Sequence, residues 1–276
     1  MRAAVIGDNC IDVYRDLDVC YPTGNAVDTG VHLQKLGLAT SFVGFTGTDA
    51  YSDWIVETLR AEGLDTSYLL RMDGPAAIAE LGMDGVECLH QHYTEGVQAW
   101  EVYTPQQLAF AAGHDLIHST PWAHLDEHLP ALRAGSARLS FDYSDRWSDA
   151  AAQETMRYVQ IGFFSMGGAA DAAADVLREA VGRGLRLAVA TLGPNGSIAW
   201  DGAEFTRCDA VRAAKVVNTV GAGDSFIAAF LTAELAGRPV AECLHAGAVL
   251  AAQVVGHFGP WDPIPLRPPL PQGPQP

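Results

Sequence analysis

Short β-branched runs alternate along this chain with longer stretches rich in Ala and Leu. The strand candidates are Ala3–Ile6, Ser41–Phe45, Leu116–Ser119, Leu139–Asp142, Ile161–Ser165 and Arg186–Thr191. Helical patterns over Ala26–Leu36, Asp53–Glu62, Pro105–Ala112, Ala151–Tyr158 and Ala169–Val181 separate them. A helix between two strands returns the chain to the edge where the first strand began, so the strands pair in parallel as βαβ units. Gly37, Gly63, Gly113 and Gly184 stand where those helices should stop, as glycine does after a helix C-terminus. Hydrophobic residues make up 49% of 276 positions, enough for one large core. The pattern predicts an α/β fold around a central, mostly parallel sheet.

Two regions break the rhythm. Ala76–Leu81 and Val86–Tyr93 read as short strands around Met83-Asp84-Gly85, and Asp-Gly is a strong hairpin signal. With Cys10–Cys20 they predict a small sheet standing off the main one as a lid, with strands from about residues 10–21 and 76–98. Ile78, Leu81 and Leu89 would be exposed on it, so a homodimer pairing through the lid is expected. A second hairpin is predicted at Ser197–Trp200 and Glu204–Arg207. Helices near Asp224–Leu235 and Val240–Val255 close the fold, the first apolar almost all round and therefore buried. One domain should end near residue 262. From 263 to 276 the chain is rich in proline and should be extended or disordered.

Acidic residues outnumber basic ones 33 to 17, a formal charge of −16. Nucleic acid and anionic membrane surfaces both demand a Lys/Arg footprint, so neither is an expected partner. No apolar run approaches the roughly 20 residues that span a bilayer. Asp8 interrupts the start before a signal segment could form, and a cytoplasmic location is expected. The five cysteines are odd in number and include no C-x-x-C, which suits reduced thiols.

The chemistry is concentrated in Asn218-Thr219-Val220-Gly221-Ala222-Gly223-Asp224-Ser225-Phe226, a small-residue loop running into the apolar helix. Gly221 and Gly223 allow a tight turn and close approach to a ligand. The first amides of the helix have no partner within it and, with the dipole, form an anion site. Asp224 stands at that same end, placed to take a proton from a hydroxyl while the amides stabilise a transferring phosphoryl group. An ordinary glycine-rich cap explains the glycines and the acid separately, but not their junction with so buried a helix. No G-x-x-x-x-G-K-[ST] occurs, Lys35 and Lys215 are the only lysines, and no G-x-G-x-x-G follows the first strand. A Walker-type NTPase and a Rossmann dehydrogenase are therefore excluded.

Asn218–Phe226 resembles the D-T-x-G-A-G-D signature of the PfkB, or ribokinase-like, carbohydrate kinases. Gly24-Asn25-Ala26-Val27-Asp28, with Leu36-Gly37 after it, resembles their N-terminal G-G-N-x-x-N…L-G signature. Segments 7–14, 93–97, 141–147 and 191–202 are similar to the branch of that family that acts on fructosamines such as fructoselysine. The resemblance covers residues 1 to about 260. It implies a three-layer αβα sandwich with a small β lid, and ATP-dependent phosphorylation of a hydroxyl on a ketose-like sugar or sugar–amino acid adduct. Alternatives are a kinase of the same fold for another sugar, sugar acid or nucleoside, or a catalytically weak regulatory protein that binds sugar or nucleotide.

Carried over position by position, the resemblance makes Asp224 the base and the amides of Gly221, Ala222 and Gly223 the anion hole. It places Asp12, Gly24, Asn25 and Asp28 at the sugar hydroxyls, and Tyr93 and Glu95 where the lid meets substrate. Thr191, Gly193 and Gly196 would hold the nucleotide. The departures are Asn218 for the usual Asp, Thr23 for the first Gly of the N-terminal pair, and Asp28 for its Asn. Asn218 weakens the case for a monovalent cation. Where the family has N-x-x-E, with its Glu tied to the Mg²⁺ water shell, this chain has Ser165-Met166-Gly167-Gly168-Ala169 and no acid before Asp171. Mg²⁺ is expected with ATP, but its ligands are not assigned, and Asp142 and Asp145 are unassigned neighbours.

Several residues carry plainer readings. His124 and His128, spaced i, i+4, read as a solvated helix face, with substrate contact by His124 left open. His90 and His92 are either a wet lid surface or a wall of the substrate site. Asp8 should cap the turn after the first strand. Trp100, Trp122 and Trp147 read as core or interface.

Overall fold

In a computed structural model, which describes residues 1–135, 137–168 and 170–270, the alternation becomes two sheets. The chain runs through β1 (Arg2–Ile6), β2 (Cys10–Tyr14), β3 (Val19–Thr23), α1 (Asn25–Lys35), β4 (Ala39–Thr46), α2 (Ala50–Ala61) and β5 (Asp65–Arg71). It continues through β6 (Ala77–Asp84), β7 (Glu87–Thr94), α3 (Pro105–Ala112), β8 (Leu116–Ser119), α4 (Leu129–Arg133), β9 (Arg138–Asp142), α5 (Ala150–Thr155) and β10 (Ile161–Ser165). It ends with α6 (Ala170–Arg183), β11 (Leu187–Thr191), β12 (Ser197–Trp200), β13 (Phe205–Cys208), α7 (Ala222–Leu235) and α8 (Val240–Val254).

The main sheet has nine strands in the order β13-β12-β11-β10-β9-β8-β1-β4-β5. From β11 to β5 every pairing is parallel, and β12 and β13 add an antiparallel edge. Its central strands are buried on both faces, which explains their near-continuous apolar runs. Along β1, Ala3 and Val5 point into one core with residues of α1, α2, α7 and α8, while Ala4 and Ile6 point into the other with α6 and the α4 region. Period-two alternation in one strand thus joins three layers. The expected αβα sandwich is what forms.

Helix α7 is buried through Ser225–Leu231, and α8 lies tight against it. A Cβ on Gly247 would come within 2.6 Å of the Phe226 ring, so glycine sets the approach of the two helices.

The second sheet, in the order β3-β2-β6-β7, is the expected lid. It has its own small core of Cys10, Tyr14, Tyr21, Ala77, Ala79 and Leu81, against which Phe258 and Ile264 pack from the C-terminal segment. Leu81 is therefore buried, contrary to the expectation from its place in a hairpin, and Ile78 is half-buried; only Leu89 is exposed. His90 and His92 are exposed on β7.

The segment after residue 259 is extended but not loose. Trp261 is fully buried, the Pro260 carbonyl meets His32 Nε2 at 2.8 Å, and Cys20 and Arg267 exchange backbone hydrogen bonds of 2.7 and 3.1 Å. The Arg267 guanidinium lies 4.4 Å over the Trp54 ring. Residues 271–276 of the predicted tail, and Ala169 at the predicted start of the sixth helix, lie outside the described residues.

Other expectations need correction. Helix α2 begins at Ala50, not Asp53, because Asp49 caps it by accepting from the Ser52 amide at 2.9 Å. The edge strand β5 was not anticipated; its polar Asp65-Thr66-Ser67 start hides the strand pattern. Ala151–Tyr158 is a short α-helix followed by a 3₁₀ turn. His124 and His128 do not share a helix: His124 adopts φ 45° after one 3₁₀ turn, and His128 ends another. Trp100 is 77% exposed rather than core. All five cysteines are free thiols, and among the described residues no helix is long and apolar enough to cross a membrane.

Candidate active site

Strand β1 lies between β4 and β8, and the chain builds outward from it in both directions. Where strand order reverses in this way, the loops leaving the carboxyl ends part and open a crevice. Asp8 follows β1 and Thr120 follows β8, and the Thr120 hydroxyl donates to Asp8 Oδ1 at 2.9 Å. The Asn25 and Ala26 amides donate to the same carboxylate at 2.8 and 3.3 Å. Asp8 thus caps α1 across the crevice and does not cap its own turn. Gly24 makes this approach possible: at φ +138°, a Cβ there would stand 2.6 Å from the Asp8 carbonyl.

Carboxylates converge on the crevice from separate elements. Asp12 projects from β2, Asp28 from the first turn of α1, Asp142 from the end of β9 and Asp224 from the first turn of α7. Both Asp28 oxygens accept from the Thr23 hydroxyl at 2.9 Å, so Thr23 supports the acid through a hydroxyl that glycine would lack. Burial, helped by the Asp8 charge, pushes Asp12 up to about 7. Burial and the Asp8 and Asp145 charges raise Asp142 to about 7, although the Ser144 amide donates to it at 2.8 Å. Burial raises Asp28 and Asp224 well above the usual carboxylate range; the Asp224 charge adds to the first, and Asp142 and Asp8 add to the second. No lysine or arginine forms an ion pair with any of these acids among the described residues.

The loop before α7 has the predicted form. Gly221 caps the helix in the left-handed region at φ 73°, and a Cβ there would lie 2.4 Å from Pro260 Cβ. The Ala222 amide donates to Thr219 O at 3.3 Å, and Gly221 and Gly223 keep their amides without a protein acceptor. Asn218 is fully buried; Oδ1 accepts from the Val220 amide at 3.0 Å, and Nδ2 donates to Tyr14 Oη of the lid at 3.4 Å. The Thr219 amide donates to the Val86 carbonyl at the lid tip at 3.2 Å, so lid and loop touch.

Beside this loop is a cavity of about 690 Å³. Its wall includes Thr191, Gly193, Gly196, Ala222, Gly223 and Phe226. The structure thus joins the three residues predicted at the nucleotide to the helix terminus predicted at the phosphates. Gly193 and Gly223 leave open space where a Cβ would stand, and the size suits a nucleoside triphosphate. None of the residues lining the cavity is acidic, so any oxygen offered to Mg²⁺ there comes from hydroxyls such as Ser165 and Thr191 or from the backbone. Asp171 is exposed and pairs with Arg207 at 3.5 Å. No group of three His, Cys, Asp or Glu residues is arranged to hold a metal among the described residues.

Tyr93, on β7, is 38% exposed, and partial burial together with the charges of Asp8, Glu95 and Glu101 raises its hydroxyl. Glu95 is exposed at the rim. Glu101 and Thr120 were missed by sequence reasoning. Thr120 sits at a strand end, where a switch point could have pointed to it. Glu101 lies in a short polar stretch that carries no motif.

The pfkB family carbohydrate kinase profile matches residues 154–267. The chain is 33% identical to the fructoselysine 6-kinase of Shigella flexneri over 258 residues, spanning 94% of this chain and 98% of that one. It is 30% identical to the fructosamine kinase of Bacillus subtilis over 264 residues, spanning 94% and 92%. In fold it is similar to Arabidopsis thaliana ribokinase complexed with ribose and ATP, with a TM-score of 0.81 at 18% identity over 94% of this chain and 93% of the other. A cavity of nucleotide size meeting an acid-lined crevice at one helix terminus is what such an activity requires, and the chain belongs to the pfkB family of carbohydrate kinases, ATP-dependent phosphotransferases acting on sugars.

Proposed function

We propose that this kinase phosphorylates a hydroxyl of a fructosamine, with fructoselysine the first candidate, and that Asp224 is the general base. The observation that carries this reading is the position of Asp224. It stands in the first turn of α7, whose Ala222 and Gly223 line the nucleotide-sized cavity, while its carboxylate shares the crevice with Asp8, Asp28 and Asp142. A sugar in the crevice and the γ-phosphate of ATP in the cavity would meet beside that acid.

The division of labour follows from the chemistry. Asp12, Asp28, Gly24 and Asn25 bind the sugar, since a buried carboxylate accepts two hydroxyl hydrogen bonds. Thr191, Gly193 and Gly196 hold the nucleotide, and the amides of Gly221, Ala222 and Gly223 receive the transferring phosphoryl group. A carboxylate whose proton affinity is raised by burial is a stronger acceptor for an alcohol proton than one in water. Tyr93 and Glu95 meet the substrate from the lid and help exclude water. Mg²⁺ would enter with the nucleotide phosphates and neutralise part of their charge. The similarity to a fructoselysine 6-kinase and a fructosamine kinase supports the substrate class.

The test is ATP consumption with fructoselysine, fructose, ribose and adenosine measured side by side. Fructoselysine should give the highest kcat/KM. A clear preference for ribose or adenosine refutes the substrate, and no ADP with any sugar refutes the activity.

A further inference from the structure

Glu101 is buried against the logic of its neighbours. Trp100 and Val102 are 77% and 74% exposed, yet the Glu101 side chain is 1% exposed. Oε1 accepts weakly from Tyr103 Oη at 3.5 Å and lies 3.7 Å from His124 Nδ1. Oε2 has no partner at all. A buried carboxylate oxygen without a partner is costly, and a ligand that donates to it removes that cost. The segment that carries it is firmly held: the Glu101 amide donates to Gln98 O at 3.2 Å, and Gln98 Nε2 donates to Asn9 O at 2.6 Å. Asn9 likewise leaves its Oδ1 unpartnered in the interior.

The charges place Glu101 relative to the reacting end. Those acting on Asp224 are Asp142 and Asp8, and those acting on Glu101 are Asp8 and Glu95. Asp8 is common to both, and the backbone agrees: the Asn9 carbonyl next to Asp8 accepts from Gln98 Nε2, and the Gln98 carbonyl accepts from the Glu101 amide, so Glu101 lies on the Asp8 side of the crevice. The unpartnered Oε2 is an acceptor when ionised, and a cationic donor satisfies it more strongly than a neutral hydroxyl. Resting on the function proposed above, we infer that Glu101 is a specificity-determining residue that binds the protonated amine of a sugar–amine adduct. A fructosamine bound with its terminal hydroxymethyl group at Asp224 would present its C1 amine at the opposite end. The ammonium donates to the carboxylate and gives the unpartnered Oε2 its hydrogen bond.

The experiment compares wild type with Glu101→Gln on fructoselysine and on a neutral adduct in which an ether oxygen replaces the amine; fructose serves as a third substrate. Wild type should favour the amine over the ether by roughly 10- to 100-fold in KM, the range for a hydrogen bond to a charged group. Glu101→Gln should lose that preference, with kcat and the fructose kinetics little changed. Thermal unfolding of the variant confirms that it folds, and the amine-to-ether ratio in wild type tests the inference without any variant. Equal use of amine and ether by wild type, or a preference that survives in Glu101→Gln, overturns the role of Glu101 while leaving a fructosamine kinase intact. If wild type turns over neither adduct but phosphorylates a plain sugar, the fructosamine reading fails and this inference fails with it.

Discussion

Asp28 and Asp224 confront one another across the crevice, each in the first turn of its helix, and after burial the Asp224 charge is the strongest influence holding the Asp28 carboxyl up. Two carboxylates so placed bind protons as a pair, and removing one charge lowers the proton affinity of the other. Asp28→Asn should therefore move the acid limb of the kcat profile to lower pH, while the Thr23 hydroxyl keeps a hydrogen-bond partner. The pH dependence of kcat checks this, and an unmoved limb would show that the two acids act independently.

Asp224→Asn should lower kcat by about 100-fold or more, the scale for a lost general base, with nucleotide affinity nearly unchanged. Turnover paired with an ADP-binding titration measures both. Near-normal kcat would remove Asp224 from the chemistry.

Gly221 and Gly223 should respond in opposite ways to the same methyl group. At Gly221 the backbone is left-handed and a Cβ would strike Pro260 at 2.4 Å, so Gly221→Ala should cost on the order of 1–3 kcal/mol of stability. At Gly223 a Cβ meets open space inside the helix, so Gly223→Ala should leave stability equal or slightly higher, by up to about 1 kcal/mol. The same methyl narrows the cavity, and KM for ATP should rise. Denaturant unfolding and ATP kinetics separate the two effects.

The unliganded protein should lose stability as pH rises from about 6.5 to about 8. Asp12 and Asp142 are raised to about 7, and Glu101 to about 8, mainly by burial. A group whose folded value is raised contributes stability below its unfolded value and loses it as pH climbs through the folded one. His32 and His118, lowered by burial to about 4 and about 3, act oppositely but only below pH about 6.5, their ordinary value. Above that point the carboxylates act without this opposition, and Tm should fall by several degrees. A flat or rising Tm across this window would mean that the crevice acids are already ionised in the free protein.

Trp261→Ala should destabilise by about 3–5 kcal/mol, the range for emptying a fully buried aromatic site. Pro260 beside it abuts Gly221, so ATP affinity should weaken along with the urea midpoint. Unchanged stability would mean that the C-terminal segment does not support the loop.

Much of this was legible in the residues. The parallel core follows from apolar runs at helix–strand spacing, because strands buried on both faces must be apolar along their length. The anion loop was readable because Gly221, Gly223 and Asp224 are neighbours in the chain, and a helix start is a local event. The lid hairpin was readable from Asp84-Gly85 for the same reason. Beyond that reach the chain is silent. The meeting of Asp8, Asp12, Asp28, Asp142 and Asp224 depends on strand order, and an acid acquires a raised proton affinity only when other elements remove it from water. Leu81 is core because Phe258 and Ile264 return from nearly two hundred residues away to the lid. Glu101, between two exposed apolar residues, is indistinguishable in the chain from a solvated acid. Its burial with one oxygen unpartnered exists only once the crevice closes around it, since desolvation is a property of what surrounds a charge and not of its neighbours in sequence.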